Sequence, residues 1–416
     1  MEVMKVPSAH LTITLMLLTS LAACSGDPGG PGSVGPWAQV AAGDQFTCGL
    51  TTGGEAWCWG AGLFGQLGNN ATASQAQPVR VAGEHRFRTI AVGSDHACGI
   101  SPDQSTWCWG LNDFSELGAT TASCNASFPF ARCARVPVAV LGAQAFTSVV
   151  VSGYASCGLT PAGDTYCWGW SDHGQAGSGS VLDVIDHPTK VAGPRFTALS
   201  LDIYHVCGRT AAGALYCWGS NDHGQLGADT TATIHCGSGI GAFPCAPSPI
   251  ASAAGLSVRS VATGGFHTCA LTETDGIWCF GSNQYGALGN PGTLGGPDPV
   301  KVAGGVTFTA VDAGEDHTCA LAVDGSPWCW GLNTFGQLGV GSVSEACPAF
   351  GSARPCHTSP GLVQTPISLV AISTGSGHTC GLTADGEIWC WGRGTAGQLG
   401  DGRSVSSDAL VRVQHP

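Results

Sequence analysis

Residues 378–392 read HTCGLTADGEIWCWG. Two cysteines ten positions apart flank a turn, and Trp391-Gly392 follows the second. Pairing Cys380 with Cys390 across an antiparallel hairpin sets Gly381 opposite Trp389, Leu382 opposite Ile388 and Thr383 opposite Glu387. Ala384-Asp385-Gly386 remains as a three-residue loop, with Gly386 at the positive-φ position of a bulged turn. Opposed residues in such a pair have Cα atoms about 4.5–5.5 Å apart, within disulfide reach.

The motif recurs seven times. Cys48 pairs by spacing with Cys58, Cys98 with Cys108, Cys157 with Cys167, Cys207 with Cys217, Cys269 with Cys279, Cys319 with Cys329, and Cys380 with Cys390. First cysteines follow one another by 50, 59, 50, 62, 50 and 61 residues, so alternate units carry an insertion. A fixed long period signals a propeller, solenoid or array and must be read before any single motif. The insertions hold three further pairs nine apart: Cys124 with Cys133, Cys236 with Cys245, and Cys347 with Cys356. With Cys24 set aside from the 21 cysteines, none is left unpaired. Even, local pairing in an exported chain predicts disulfides. Two thiolates across a hairpin supply half of a tetrahedral metal site, and the chain has no Cys-x-x-Cys knuckle.

Export is itself read from the N-terminus. Lys5 precedes the apolar run LTITLMLL (11–18) and the small-residue stretch LAAC (21–24). This predicts a signal peptide over 1–23, too short in its apolar part to span a membrane. LAAC resembles the bacterial lipoprotein box, which implies lipidation of Cys24; the alternative is an ordinary secretory signal. Ser25 in place of Asp implies the outer membrane or cell surface. Residues 24–36 are rich in Gly and Pro and predict a flexible tether.

The net charge of −13, with only 15 Lys and Arg, argues against a nucleic-acid partner. Each unit has an apolar strand before the hairpin, as in TIAVG (89–93), and a Gly-rich loop after it, such as GQLG at 65–68 and 397–400. A short strand closes the unit, as in PVRV (78–81). Four short strands in each of seven units predict an all-β, seven-bladed propeller over 37–416. The first strand near WAQVAAG (37–43) and the last near DALVRV (408–413) are expected to share a closing blade.

GEDHTCALAVDGSPWCWGLNTFGQLG (314–339) resembles the repeat of the regulator of chromosome condensation family. The resemblance implies the propeller more firmly than an activity. Its eukaryotic namesake promotes nucleotide exchange on a nuclear GTPase and binds chromatin, partners that an exported acidic chain would not meet. Other bacterial members are secreted, and one kind inhibits β-lactamases by protein contact. Phe46 and Ala155 stand where five units have His96, His205, His267, His317 and His378, and Phe280 replaces the Trp of Trp-Gly in unit 5.

Those histidines are expected to be hydrogen-bonded structural groups. The residues before the Gly-rich element (Phe64, Phe114, His173, His223, Tyr285 and Phe335) are expected to pack between blades. GAGLFG (60–65) matches a dinucleotide pattern but arises from overlapping repeat elements with no crossover helix. No catalytic grouping, cofactor or metal site stands out.

The insertions CNASFPFARC (124–133), CGSGIGAFPC (236–245) and CPAFGSARPC (347–356) follow the third strand of units 2, 4 and 6. They therefore emerge on the face that carries the turns between first and second strands. Phe128, Phe130, Phe243 and Phe350 from the insertions, with Asp44, Asp95, Tyr154, Tyr204, Phe266 and Asp316 from the turns, form the candidate interaction face. The competing account is that long loops are stapled only against proteolysis. The chain is expected to be a monomeric, non-enzymatic scaffold for a protein or glycan partner in the cell envelope. The alternatives are an inhibitor of a periplasmic or secreted enzyme, or a hydrolase assembled from loops.

Overall fold

The computed structural model describes residues 35–415 apart from 125–127, 143, 182–183, 229–234, 237–241, 275 and 349–351. Cys24 and Phe350 lie outside the described residues. Seven antiparallel sheets follow in chain order, at 37–80, 89–139, 148–190, 198–252, 258–301, 308–362 and 371–412. Each is a blade whose strands run outward from the axis in sequence order. In blade 7 these are Ala371–Thr374, His378–Leu382, Ile388–Gly392 and Ser407–Arg412. Blades 4 and 6 have a fifth strand, His235–Cys236 and Ala346–Cys347, where the insertion pairs with the start of the outer strand. In blade 2 the insertion makes an isolated bridge, Ser123 to Arg132.

The hairpin register is the one that the cysteine spacing demands: Cys380 faces Cys390, Gly381 faces Trp389 and Leu382 faces Ile388. Thr383 N donates to Glu387 O at 2.9 Å and Gly386 takes φ +81°. Hydrogen-bonded pairs alternate from that closing bond, which leaves the cysteines at a non-hydrogen-bonded position, where strands approach most closely. The seven hairpin disulfides reflect this closeness. Cα separations are 4.0 Å for Cys48 with Cys58 and for Cys380 with Cys390. They are 4.1 Å for Cys98 with Cys108, Cys157 with Cys167, Cys207 with Cys217, Cys269 with Cys279, and Cys319 with Cys329. The insertion disulfides, Cys124 with Cys133, Cys236 with Cys245 and Cys347 with Cys356, span 5.4, 5.7 and 5.8 Å.

The core lies along the seams between blades. The Trp of each Trp-Gly pair is fully buried, and most reach back to the preceding blade: Trp59 Nε1 donates to Gln398 O at 2.9 Å and Trp109 Nε1 to Gln66 O at 3.0 Å. The glycine that follows takes φ near +105° at a bulge; a Cβ on Gly110 would sit 2.3 Å from Asp95 O. The first glycine of the Gly-rich loop packs on the next blade's outer strand, and a Cβ on Gly65 would lie 2.8 Å from Arg135 Cα. The five repeated histidines are buried at these seams, each against a hydroxyl of the following blade.

Ring closure departs from the sequence-based expectation. The outer strand Ser407–Arg412 pairs with Ile388–Gly392 of its own repeat, and Trp37–Ala42 pairs with Phe46–Thr51 of its own. No blade is shared, because each repeat already supplies all four strands in order. Blades 7 and 1 are joined instead by packing of Trp37, Val40 and Trp59 on Leu382, Ile388 and Leu399. Hydrogen bonds add to this seam: Trp37 N to Gly386 O at 3.0 Å, Ala42 N to Ser373 Oγ at 3.0 Å and Gly402 N to Ala76 O at 2.9 Å.

Candidate interaction face

The turns between first and second strands and the loops after third strands lie on one face of the ring. The contacts show it: His173, after the third strand of blade 3, meets Tyr204 from the blade 4 turn at 5.0 Å and Phe243 from the blade 4 insertion at 4.4 Å. The hairpin tips occupy the other face with the links between blades, as in Phe87 N to Gly54 O at 2.8 Å. Thr52, Ala211 and Asp385 are exposed there.

At the centre of the loop face the inner strands enclose a cavity of about 420 Å³, lined by Asp44, Ser200, Asp202, Asp312, Glu315 and Ser373 among others. Its carboxyls are crowded. Burial, with Glu315, Asp312 and Asp316 nearby, pushes Asp202 up to about 7 against the bond that it accepts from Ile203 N. Burial raises Asp312 to about 6 although it accepts from Thr374 N at 2.7 Å. At the rim, burial and Glu315 raise Asp316 to about 7, and burial and Asp44 raise Asp95 to about 6. Gln66 Nε2 donates to Asp95 at 2.9 Å, and Arg393 lies 3.9 Å from Asp44. Among the described residues, no grouping of three or more His, Cys, Asp or Glu could hold a metal ion.

Beside the cavity runs a continuous aromatic array over blades 2 to 5. Phe114 meets Tyr154 at 5.4 Å, Tyr154 meets Trp170 edge-on at 5.7 Å, and Trp170 meets His173 at 4.9 Å. Tyr204 stacks on Phe266 at 5.1 Å, which meets His223 at 5.0 Å. Apart from the exposed His223 these rings are half-buried, so each is held by its neighbours and still presents surface.

Of the candidate residues, Tyr154, Tyr204, Phe243 and Phe266 belong to this array, and Asp44, Asp95 and Asp316 lie at the cavity and its rim. The insertion phenylalanines are not equivalent. Phe130 is 95% exposed and meets no ring among the described residues, whereas Phe128, 46% exposed, packs edge-on against Phe64 at 5.8 Å. Phe243 is half-buried on His173. Phe114, His173 and His223 do bridge neighbouring blades as expected, but they also form part of the exposed array. Trp170 was not singled out by sequence. Its signal is that CWGW in unit 3 puts a second Trp where other units have Ala61, Leu111, Ser220, Ser282, Leu332 and Arg393. Asp202, Asp312 and Glu315 carry no motif; only the ring brings them together.

Seven four-stranded blades around an axial cavity, with a binding-sized face built from turns and stapled insertions, define a β-propeller of the repeat-protein class. Residues 53–100, 212–271, 275–321, 324–382 and 385–416 match the model of the regulator of chromosome condensation (RCC1) repeat, and a second model of that repeat matches 37–66, 258–287, 308–337 and 369–398. The chain belongs to the RCC1 repeat family.

RCC1 domain-containing protein 1 of Homo sapiens is 29% identical over 164 residues, 39% of this chain and 37% of that protein. The chain thus spans little over a third of the length of the curated relatives it matches. Among solved structures, yeast RCC1 (Prp20) bound to Kap60 aligns over 92% of this chain and 84% of that one, with TM-score 0.73 and 20% identity. Human WBSCR16 aligns over 82% and 85%, with TM-score 0.69 and 20% identity. These likenesses concern the fold.

Proposed function

We propose that this protein is an exported, lipid-anchored RCC1-type propeller that serves as a rigid protein-binding scaffold of the bacterial cell envelope. The observation that carries the reading is the loop face itself: a contiguous, half-exposed aromatic array held by a disulfide-stapled ring. Aromatic side chains fixed before binding lose little entropy on docking and dominate interface energetics. Ten local disulfides suit an oxidising compartment, and the Lys5, apolar-run and LAAC pattern suits delivery there with Cys24 as the anchor. The solved yeast relative was captured with the protein Kap60, a precedent for this fold as a protein binder. The test is affinity capture from the native envelope by the full chain, compared with Trp170→Ala and Phe130→Ala variants. A partner lost with the loop-face variants and kept with Ala211→Ser on the other face supports the reading. A partner retained by every loop-face variant overturns it.

A further inference from the structure

The array and the cavity rim differ in character, and the difference restricts the partner. The rings run over blades 2 to 5, while Asp44 and Glu315 line the cavity beside them and Asp95 and Asp316 interact with those two from just outside it. The two sets act on each other. Asp95 and Asp44 add to burial in raising the Tyr154 hydroxyl, Glu315 does so at Tyr204, and the hydrogen-bonded Asp222, with Asp316 behind it, holds the proton on His223. Among the described residues, Asp95, Glu315 and Asp316 have no Lys or Arg within salt-bridge distance. Gln66 donates a hydrogen bond to Asp95 and Ser376 one to Glu315, and Asp316 is eased only by the His223 imidazole among the described residues.

We infer that the loop face takes a cationic polypeptide segment, whose arginine or lysine side chains lie on Trp170 and Tyr204 and turn their charged ends to Asp95, Glu315 and Asp316. A guanidinium is suited to both halves of this surface, since it stacks on aromatic faces and pairs with carboxylates. A neutral glycan would use the rings and leave the carboxylates unanswered. The molecule already contains the pairing in miniature: the Arg393 guanidinium lies over the Phe335 ring, 5.3 Å from its centroid, and 3.9 Å from Asp44. Phe114, Tyr154, Trp170, His173 and Tyr204 all fall within 101–211, which neither repeat model matches. Trp170, at the middle of the array, has no Trp counterpart in the other six units, so this part of the surface is particular to blade 3.

This inference rests on the scaffold reading above, and the experiment separates the two. The full chain is titrated calorimetrically at pH 8.5, above the raised values of Asp95 and Asp316 so that both are ionised, with acetyl-(Gly-Arg)4-amide, with the same peptide carrying citrulline for arginine, and with chitohexaose. The arginine peptide should bind at least ten-fold more tightly than the citrulline peptide. Trp170→Ala, and separately the isosteric pair Asp95→Asn with Asp316→Asn, should each weaken it at least ten-fold. Asp103→Asn with Asp324→Asn removes the same net charge from hairpin tips on the other face and should change affinity less than two-fold. Equal binding of the citrulline peptide overturns the inference, as does equal weakening by the hairpin-tip pair. Chitohexaose binding that depends on Trp170, with no arginine-peptide binding, overturns it in favour of a glycan. Failure here, with envelope capture still lost in Trp170→Ala, leaves the scaffold reading standing; capture insensitive to loop-face variants removes both.

Discussion

His378 of blade 7 and Thr47 of blade 1 join the ends of the ring: Nε2 lies 2.8 Å from Oγ1, and that hydroxyl donates to Gln398 O at 2.9 Å. Because the hydroxyl proton goes to the carbonyl, the histidine must donate, which sets the Nε2–H tautomer and leaves Nδ1 bare. Four more seams repeat the relay, through His96 and Ser156, His205 and Thr268, His267 and Thr318, and His317 and Thr379. The two exceptions are matched. Phe46 faces a blade with Ala97 at the hydroxyl position, and Ala155 faces one with Val206, each pair sharing an apolar cluster. Where the histidine is missing, so is its hydroxyl partner, since Ala97 and Val206 leave nothing to satisfy at those two positions.

This pairing is testable by a double-mutant cycle. His96→Phe and Ser156→Ala alone should each destabilise the ring, the first by leaving a hydroxyl without its donor and the second by burying an unanswered Nε2–H. Together they imitate the seam of Phe46 and Ala97 and should recover a coupling of about 1–2 kcal/mol in denaturant unfolding. Additive losses would show that the relay is only packing.

The pH dependence of stability follows from two opposed sets of buried groups. Desolvation lowers His96, His205, His317 and His378 to about 3 and His267 to about 4. The unfolded chain takes up protons on them below the ordinary imidazole range, so stability falls as pH drops from about 6.5. Burial does the reverse for Asp95, Asp202, Asp312, Asp316 and Glu116, raised to about 6, 7, 6, 7 and 8. The folded state keeps those protons, so stability falls as pH rises from the ordinary carboxyl range through these values. The sets offset each other at mildly acidic pH. Melting temperature should therefore be highest between about pH 4.5 and 6.5 and decline on both sides; a maximum at pH 8 or above would contradict this account.

Glu116 offers a single-residue version of the same argument. It stands where other repeats have Gln66, Gln175, Gln225, Gln337 and Gln398, and its Oε2 accepts from Phe114 N at 2.7 Å as Gln66 Oε1 accepts from Phe64 N at 2.8 Å. Fully buried, it imitates the amide while protonated. Glu116→Gln should stabilise the protein by a margin that grows from about pH 4.5 to 8 and then levels. A margin independent of pH would show that Glu116 is not protonated in the folded state.

The spacing of ten was enough to read hairpin register, strand number and the face on which the insertions emerge, since these depend on residues within one repeat. What crosses repeats was harder to read. Closure without a shared blade, the array from Phe114 to Phe266 and the crowding of Asp202 with Asp312 all join residues from different repeats, which only the circular arrangement brings together. The histidine relay lies between these cases: Phe46 with Ala97 and Ala155 with Val206 are visible in sequence once adjacent repeats are compared one position out of step.

The N-terminus has its own test. Lipobox processing would consume the Cys24 thiol, so intact-mass analysis of membrane-extracted protein should show a chain starting at Cys24 with added lipid mass. Unreduced peptide mapping of the same sample should link Cys380 to Cys390 and Cys347 to Cys356. A free N-terminus elsewhere would remove the anchor, and thiols left free in the hairpins would remove the argument for export.

The last prediction separates the insertion phenylalanines from one another. Phe130 is 95% exposed, so Phe130→Ala should leave stability within about 0.5 kcal/mol. Phe243 lies 4.4 Å from His173, which is itself packed on Trp170 and Tyr204, so its removal loosens the middle of the array. Aromatic contacts contribute about 0.5–1.5 kcal/mol beyond the area they bury, and Phe243→Ala should cost at least that much. Partner capture should fall in both, but for different reasons: Phe130 loses a contact made only in the complex, while Phe243 loses the order of a surface prepared beforehand. The association rate and the dissociation rate distinguish them. Phe130→Ala should act on dissociation alone, whereas Phe243→Ala should also slow association, because a loosened array is competent less often. Identical kinetics for the two variants would mean that the array is not prepared in the free protein, and that the insertions bind as separate loops.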